Sequence, residues 1–290
     1  MVPQSRRAVF VGCARDCARA LPSVLDNVSR MAETFDQAAF VWVENDSVDD
    51  TKRLLTAWCK GRPDAHIIGL DGLGQAERAR TRRIEFARNT YVAFMRLRQL
   101  GSFDFTVMLD MDEVNAQPLD IDAFRRAVAF IADRPDTAGV FANQGGPYYD
   151  QWALRHPERC PGDIWEEVCD RVTRDGLSDA EAFKIAVLDR LFTLPPDADP
   201  LEVDSAFGGL AIYRTAHVLA NPNAYVGERV KVMDAQGRLV SVRMQACEHV
   251  AFNRGLRGMG KHLYVLPWLQ NVSTSHSAVH FTTAWREFFF

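Results

Sequence analysis

Phe105-Thr106-Val107-Met108-Leu109 is an apolar run that ends abruptly in acid, at Asp110-Met111-Asp112-Glu113. An apolar run bounded by charge predicts a strand buried on both faces, the kind found in parallel sheets covered by helices. Asp110 and Asp112 then stand where the carboxyl end of the strand meets solvent, the edge at which open α/β sheets bind ligands. Two carboxylates one residue apart are able to share a divalent cation, and an oxygen-only pair open to solvent favours Mg²⁺ or Mn²⁺ bridged onward to phosphates. The same letters also fit a solvated turn with three acids.

The preceding chain supplies the rest of such a sheet. Ala8 to Gly12 reads as a short buried strand, and Leu21, Val24, Leu25, Val28 and Met31 recur at helical spacing after it. A second unit runs from the strand Ala38–Val43 through Glu44-Asn45-Asp46-Ser47 into a helix from about Asp49 to Cys59, with Asp46, Ser47 and Asp49 as competing N-caps. His66–Leu70 is a third strand, followed by a long helix from about Gln75 to Leu100. Strand and helix alternate four times, which predicts a mostly parallel, doubly wound sheet. The loops after these strands carry Arg15 and Asp16, Glu44 to Asp46, Asp71, and Asp110 to Asp112, so all four open on one edge. The first turn reads Gly12-Cys13-Ala14-Arg15 and lacks the GxGxxG of a dinucleotide-binding domain.

The helix after the third strand holds seven Arg against two Glu between Glu77 and Arg98. Arg78, Arg80 and Arg82 read as a solvated basic face. Arg88 instead falls within the inward stripe of Ile84, Ala87, Tyr91 and Met95. A buried Arg needs a partner, so Arg88 is expected to meet an acid such as Asp110 or a ligand phosphate.

Composition narrows the function class. A formal charge of -4 over 290 residues argues against general nucleic-acid binding, and no stretch approaches transmembrane length. The expectation is a cytoplasmic protein, with peripheral membrane contact left open. Cys13, Cys17, Cys59, Cys160, Cys169 and Cys247 are scattered without a zinc-site spacing and are expected to be reduced.

Past Val114 a helix from about Ile121 to Ala132 and a strand at Gly139–Asn143 continue the alternation. The segment Gln144 to Arg155 then interleaves aromatic with polar groups, a pattern that suits a sugar ring and equally suits the rim of a core. Asp163 to Arg190 reads as one or two amphipathic helices. Asp204 and the pair Gly208-Gly209 precede a buried strand, and the glycines permit close backbone approach. Leu239 to Ala246 reads as a strand running into Cys247-Glu248-His249, where Glu and His offer a base and a metal ligand or an ordinary polar rim.

Taken together, Val43-Glu44-Asn45-Asp46-Ser47, Arg82-Arg83-Ile84 with Ala87-Arg88-Asn89, Leu109-Asp110-Met111-Asp112, Tyr148-Tyr149-Asp150, Trp152-Ala153-Leu154-Arg155, Gly208-Gly209-Leu210-Ala211-Ile212-Tyr213 and Cys247-Glu248-His249 carry a resemblance. The chain resembles nucleotide-sugar glycosyltransferases of the GT-A class, in particular the capsule-associated mannosyltransferases of fungi and their bacterial relatives. The resemblance implies a single Rossmann-like α/β domain over 1–290, with a mostly parallel central sheet and a smaller mixed acceptor-side region. Residues 1–115 form the donor half and 116–290 the acceptor half.

It further implies that Asp110 and Asp112 hold Mn²⁺ or Mg²⁺ against the diphosphate of the donor. Glu44, Asp46 and Arg88 match positions near the nucleotide, and Arg15 and Arg83 join them as candidate donor contacts. His249 is the candidate third metal ligand, with His276 and His280 as alternatives. Glu248 and Asp204 are the candidate bases. The expected reaction is transfer of a hexose from a nucleotide-diphosphate sugar to a hydroxyl acceptor, by inversion if a base is present and otherwise by retention.

Two other readings fit fewer of these features. Asp110-Met111-Asp112-Glu113-Val114 also matches the start of haloacid-dehalogenase-type phosphatases, in which the first Asp is a nucleophile, but here three β-α units precede it. A non-catalytic sugar-nucleotide-binding protein on the same fold is the third reading.

Overall fold

The computed structural model describes residues 6–233 and 238–272. Its elements, in chain order, are β1 (Arg7–Ala14), α1 (Leu21–Ala32), β2 (Gln37–Glu44), α2 (Thr51–Cys59), β3 (Ala65–Gly69), α3 (Leu73–Ala76), α4 (Arg80–Leu97), β4 (Phe105–Asp110) and α5 (Ile121–Ala132). They continue with β5 (Thr137–Gln144), α6 (Ile164–Arg174), α7 (Asp179–Ala186), β6 (Leu201–Glu202), β7 (Leu210–Arg214), α8 (Thr215–Ala220), β8 (Glu228–Met233), β9 (Leu239–Gln245), α9 (Glu248–Gly258) and β10 (His262–Val272).

Eight strands form one sheet in the order β3-β2-β1-β4-β7-β5-β10-β6. The strands β3, β2, β1 and β4 run parallel, as do β5 and β10, while β7 lies antiparallel between β4 and β5. The sheet is therefore mostly parallel with helices on both faces, and the predicted parallel winding is interrupted at β7. Strands β8 and β9 form a separate two-stranded sheet.

Side chains alternate across a strand, and here each face builds its own core. Val9, Val11, Val41, Val43 and Met108 face Ala87, Tyr91 and Met95 of α4. Ala8, Phe10, Phe40, Trp42, Val107 and Leu109 face Leu21, Val24, Leu25 and Val28 of α1 and Phe124 and Val128 of α5. Register fixes what is level at the carboxyl edge. Cys13 pairs with Asp110, and Glu44 pairs with Ala14 on one side and Gly69 on the other, so the acids of two loops leave the sheet within one residue of each other.

Three local expectations are corrected. The long basic helix is broken, because Glu77 and Ala79 are extended between α3 and α4. Arg83 takes the freed carbonyls of Glu77 and Arg78 at 3.1 and 2.5 Å. None of Asp46, Ser47 and Asp49 occupies the N-cap of α2, which is Asp50, although Asp49 accepts from the Thr51 N–H. Glu248 and His249 open the first turn of α9 instead of ending a strand, and an acid there is favoured by the exposed N–H groups of a helix start.

Phe10 is fully buried, stacked on Phe40 at 5.5 Å with Phe35 edge-on at 6.1 Å. Phe10→Ala is expected to lower unfolding free energy by about 3–5 kcal/mol in urea titration, with the m-value unchanged.

Candidate active site

Arg88 is buried on the inward face of α4, as its phase predicted. Its Nη2 donates to Asp110 Oδ1 at 2.9 Å and its Nε to Glu248 Oε1 at 2.8 Å, while Nη1 reaches the Tyr91 hydroxyl at 3.3 Å. The guanidinium also lies over the Phe207 ring, 4.7 Å from its centroid. Desolvation opposes its charge, but Tyr91, Asp110 and Glu248 outweigh that and hold its pKa above the ordinary value.

Asp110 leaves the end of β4 with a side chain one-third exposed. Burial raises its pKa against the pull of Arg88, and the charge of Asp112 adds to the rise. Asp112 accepts from the Val114 N–H at 3.2 Å, which turns the chain into a short 3₁₀ segment at Glu113–Asn115. Burial raises Asp112 too, with the Val114 N–H opposing and Glu113 adding. The charge of Arg80, exposed at the start of α4, acts on both aspartates and lowers them. Arg80 had read only as part of a solvated face, and its field at the acids shows more than helical phase revealed.

The loop after β2 contributes a second cluster. Asp46, in a left-handed backbone conformation, accepts from the N–H groups of Gly72 and Gly74 at 2.6 Å each. Those bonds, with Arg15 nearby, lower its pKa. Asp46 thus ties the second loop to the third, while Glu44 is buried and accepts from the Ser47 N–H at 2.8 Å. Arg83 has its pKa lowered by burial and by the charges of Arg15 and Arg80. Three arginines therefore gather over this edge of the sheet. Asp71, exposed, pairs with Lys52 at 3.0 Å.

A chain of buried amides, which no sequence pattern signals, fixes the acids against the second half of the molecule. Asn115 Nδ2 donates to the carbonyls of Asp110 at 2.9 Å and Gly209 at 2.7 Å, and Asn115 Oδ1 accepts from Asn271 Nδ2 at 3.0 Å. Asn271 Nδ2 also donates to Gly208 O at 2.8 Å. Gly208 and Gly209 both have positive φ, and a side chain at either would meet Ala142 O or Val114 Cγ1 at 2.6 Å. The Asp110 N–H donates to Gly209 O at 2.9 Å, and the Gly208 N–H to Asp150 Oδ2 at 2.8 Å. Asp150 belonged to a quoted motif but not to the expected site. Burial pushes its pKa up to about 6, despite the Gly208 N–H, and Asp110 and Glu248 add to the rise.

The remaining expectations divide. Glu248 is brought to Asp110 through Arg88, but as the buried partner of that arginine rather than an open base. Asp204 lies elsewhere, paired with Arg257 at 3.1 Å beside Glu202, which pairs with β10 near its start. His249 is buried, stacked on Phe207 at 3.8 Å, and burial with the charge of Arg88 lowers its pKa well below the ordinary value. Among the described residues no three His, Cys, Asp or Glu side chains form a metal cluster, so His249 does not complete a set with the aspartates. His276 and His280 lie outside the described residues. The six cysteines are free, and burial pushes Cys13 up to about 12 and Cys17 to about 11, which leaves them poor nucleophiles.

The acids suit a divalent cation. Arg88 engages Asp110 and Glu248, the charges of Asp112 and Asp150 act on or are acted on by Asp110, and the open donors are hard carboxylate oxygens.

No protein-family model matches the chain, and no curated protein matches it significantly. Solved structures do resemble it. A mannosyltransferase, PcManGT, from Pyrobaculum calidifontis, in complex with GDP-Man and Mn²⁺, is 16% identical, with a TM-score of 0.49 over 93% of this chain and 57% of that one. S. aureus TarS 1-349 in complex with UDP-GlcNAc is 13% identical, with a TM-score of 0.44 over 90% of this chain and 56% of that one. Glucosyl-3-phosphoglycerate synthase from Mycobacterium tuberculosis, in complex with Mn²⁺, UDP and phosphoglyceric acid, is 14% identical, with a TM-score of 0.37 over 92% and 67%. The chain thus spans little more than half the length of the first two.

Two measurements check this geometry. Arg88→Ala strands two carboxylates and is expected to cost about 3–5 kcal/mol in chemical denaturation, whereas exposed Arg78→Ala stays within about 0.5 kcal/mol. Asp150 is held above its ordinary carboxylate value, so the folded protein binds its proton more tightly than the unfolded chain. Its ionisation therefore costs stability as pH rises from about 4 through 6. In EDTA, Asp150→Asn is expected to raise the melting temperature at pH 8, and the gain to disappear by pH 4.

Proposed function

We propose that this protein is a metal-dependent glycosyltransferase that moves a hexose from a nucleotide-diphosphate sugar to a hydroxyl acceptor. The observation that carries the reading is the acid pair Asp110 and Asp112 at the carboxyl edge of β4, one acid anchored by buried Arg88 and both within the field of Arg80. Glycosyl transfer builds negative charge on the departing diphosphate, and catalysis consists largely of placing positive charge there in advance.

Asp110 and Asp112 would hold Mn²⁺ or Mg²⁺, which when bound supplies Lewis-acid stabilisation of the leaving diphosphate. Arg88 keeps one oxygen of Asp110 engaged and so fixes how the other is presented. Arg15, Arg80 and Arg83 give the edge its positive potential for the nucleotide's phosphates. Asp46 holds the Gly72–Gly74 loop in place beside them. The first four strands form the donor half, and the acceptor is received by the loops after β5 and before β7. A carboxylate already clamped by Arg88 is a poor nucleophile, which weighs against the phosphatase reading at Asp110. Free thiols suit a reducing compartment, and no helix among the described residues is long and apolar enough to cross a membrane. We place the enzyme in the cytoplasm.

The test is incubation with GDP-mannose, UDP-glucose and UDP-GlcNAc in Mn²⁺, recording release of GDP or UDP. Release is expected from at least one donor, is abolished by EDTA, and falls by at least about 10²-fold in Asp112→Asn with the melting temperature retained. Full activity in EDTA overturns the metal site. A phosphorylated Asp110 after incubation with phosphate esters points to the phosphatase instead. Tight binding of a donor with no turnover identifies a binding protein.

A further inference from the structure

Among the described residues no cation pairs with Asp150. Other buried or half-buried acids described in the second half have one, among them Asp163 with Arg155 at 3.1 Å, Glu167 with Arg190 and Arg171 at 2.5 and 2.7 Å, and Glu248 with Arg88. From the described residues Asp150 receives backbone N–H groups, that of Gly208 on Oδ2 at 2.8 Å and that of Ala153 on Oδ1 at a long 3.4 Å. Placing an unpaired acid beside other acids costs stability, and such an arrangement persists where the group has chemical work.

Its position is set by the same dipeptide that positions the acid pair. The Gly208 N–H holds the Asp150 carboxylate and the Gly209 carbonyl holds the backbone N–H of Asp110, so one dipeptide fixes the Asp150 side chain beside the end of β4. The candidate bases read from sequence are engaged elsewhere, Glu248 by Arg88 and Asp204 by Arg257. Asp110 and Glu248 face Asp150 from β4 and α9 and keep it basic, while Tyr148, Tyr149 and Cys247 are its neutral neighbours.

We propose that Asp150 is the catalytic base of the transfer, an inference that rests on the glycosyltransferase reading. Its carboxylate takes the proton of the acceptor hydroxyl as the hydroxyl oxygen bonds to the anomeric carbon. The bond from that carbon to the donor phosphate breaks on the opposite face, and its electron pair leaves with the nucleoside diphosphate. The configuration at the anomeric carbon is inverted.

The experiment uses the full chain, Mn²⁺ and whichever of GDP-mannose, UDP-glucose or UDP-GlcNAc the unaltered protein turns over, with water and then azide as acceptor. Azide has no proton to lose, so it bypasses a base. Asp150→Asn keeps an oxygen for the Gly208 N–H. It is expected to lower hydrolysis by about 10²–10⁴-fold, to leave azide-driven release of the nucleotide unchanged, and to bind GDP or UDP as the unaltered protein does in calorimetry. Unchanged hydrolysis, or equal loss of the water and azide reactions, overturns the assignment, the second because it marks a structural role. A glycosyl product of retained configuration by NMR overturns it as well. Should Asp150→Asn fail to fold, Asp150→Ser, which also offers Gly208 an oxygen, is read by the same criteria. Failure of the unaltered protein to turn over any donor defeats the glycosyltransferase reading itself, and is seen before any substitution is made.

Discussion

A single guanidinium joins three distant parts of this chain. Arg88 on α4 bonds Asp110 on β4 and Glu248 at the start of α9, partners 22 and 160 residues away in sequence. A buried cation is tolerated only when its donors are matched, so the packing of α9 against the sheet, the inward phase of α4 and the end of β4 are mutually conditional. The same bonds take one carboxylate oxygen of Asp110 out of play and leave its side chain partly open at the edge of the sheet. Stability and site geometry are here one interaction.

The Gly208-Gly209 dipeptide plays a parallel role for the backbone. Both residues need left-handed φ, and both lie against atoms that exclude a Cβ, so the loop before β7 is able to run directly beside the end of β4. The amide chain from Asn271 through Asn115 locks that contact by satisfying the carbonyls of Gly208, Gly209 and Asp110. Because β7 is antiparallel to both β4 and β5, the loop that enters it meets the loop that leaves β5 at the carboxyl edge, bringing Asp150 to the acids. Antiparallel insertion in an otherwise parallel sheet is what turns two halves into one site.

Charge is distributed unevenly around this edge. Burial and mutual repulsion raise Asp110, Asp112 and Asp150, while the exposed arginines at Arg15 and Arg80 stand across from them. Such an arrangement opposes folding, and the cation and diphosphate of the proposed reaction would return that stability on binding.

The sequence by itself determined β1 to β5, β7 and β9, the inward phase of Arg88 and the place of Asp110 and Asp112 at a strand end, because each rests on local periodicity or on an abrupt change from apolar to charged residues, whereas β6, β8 and β10 went unread. It did not determine the break between α3 and α4, since the carbonyls freed there are satisfied by Arg83, a side chain whose helical position looked ordinary. Nor did it separate Glu248 from Asp150. Both are acids beside aromatic or imidazole neighbours, and only the fold decides that one meets a guanidinium while the other meets backbone N–H groups. The amides Asn115 and Asn271 were illegible for the same reason: they are 156 residues apart, and their partners are carbonyls, which every residue possesses. Periodicity encodes which face of an element is buried, whereas the partner of a buried polar group depends on which distant elements share that face, and that was settled by the tertiary structure alone.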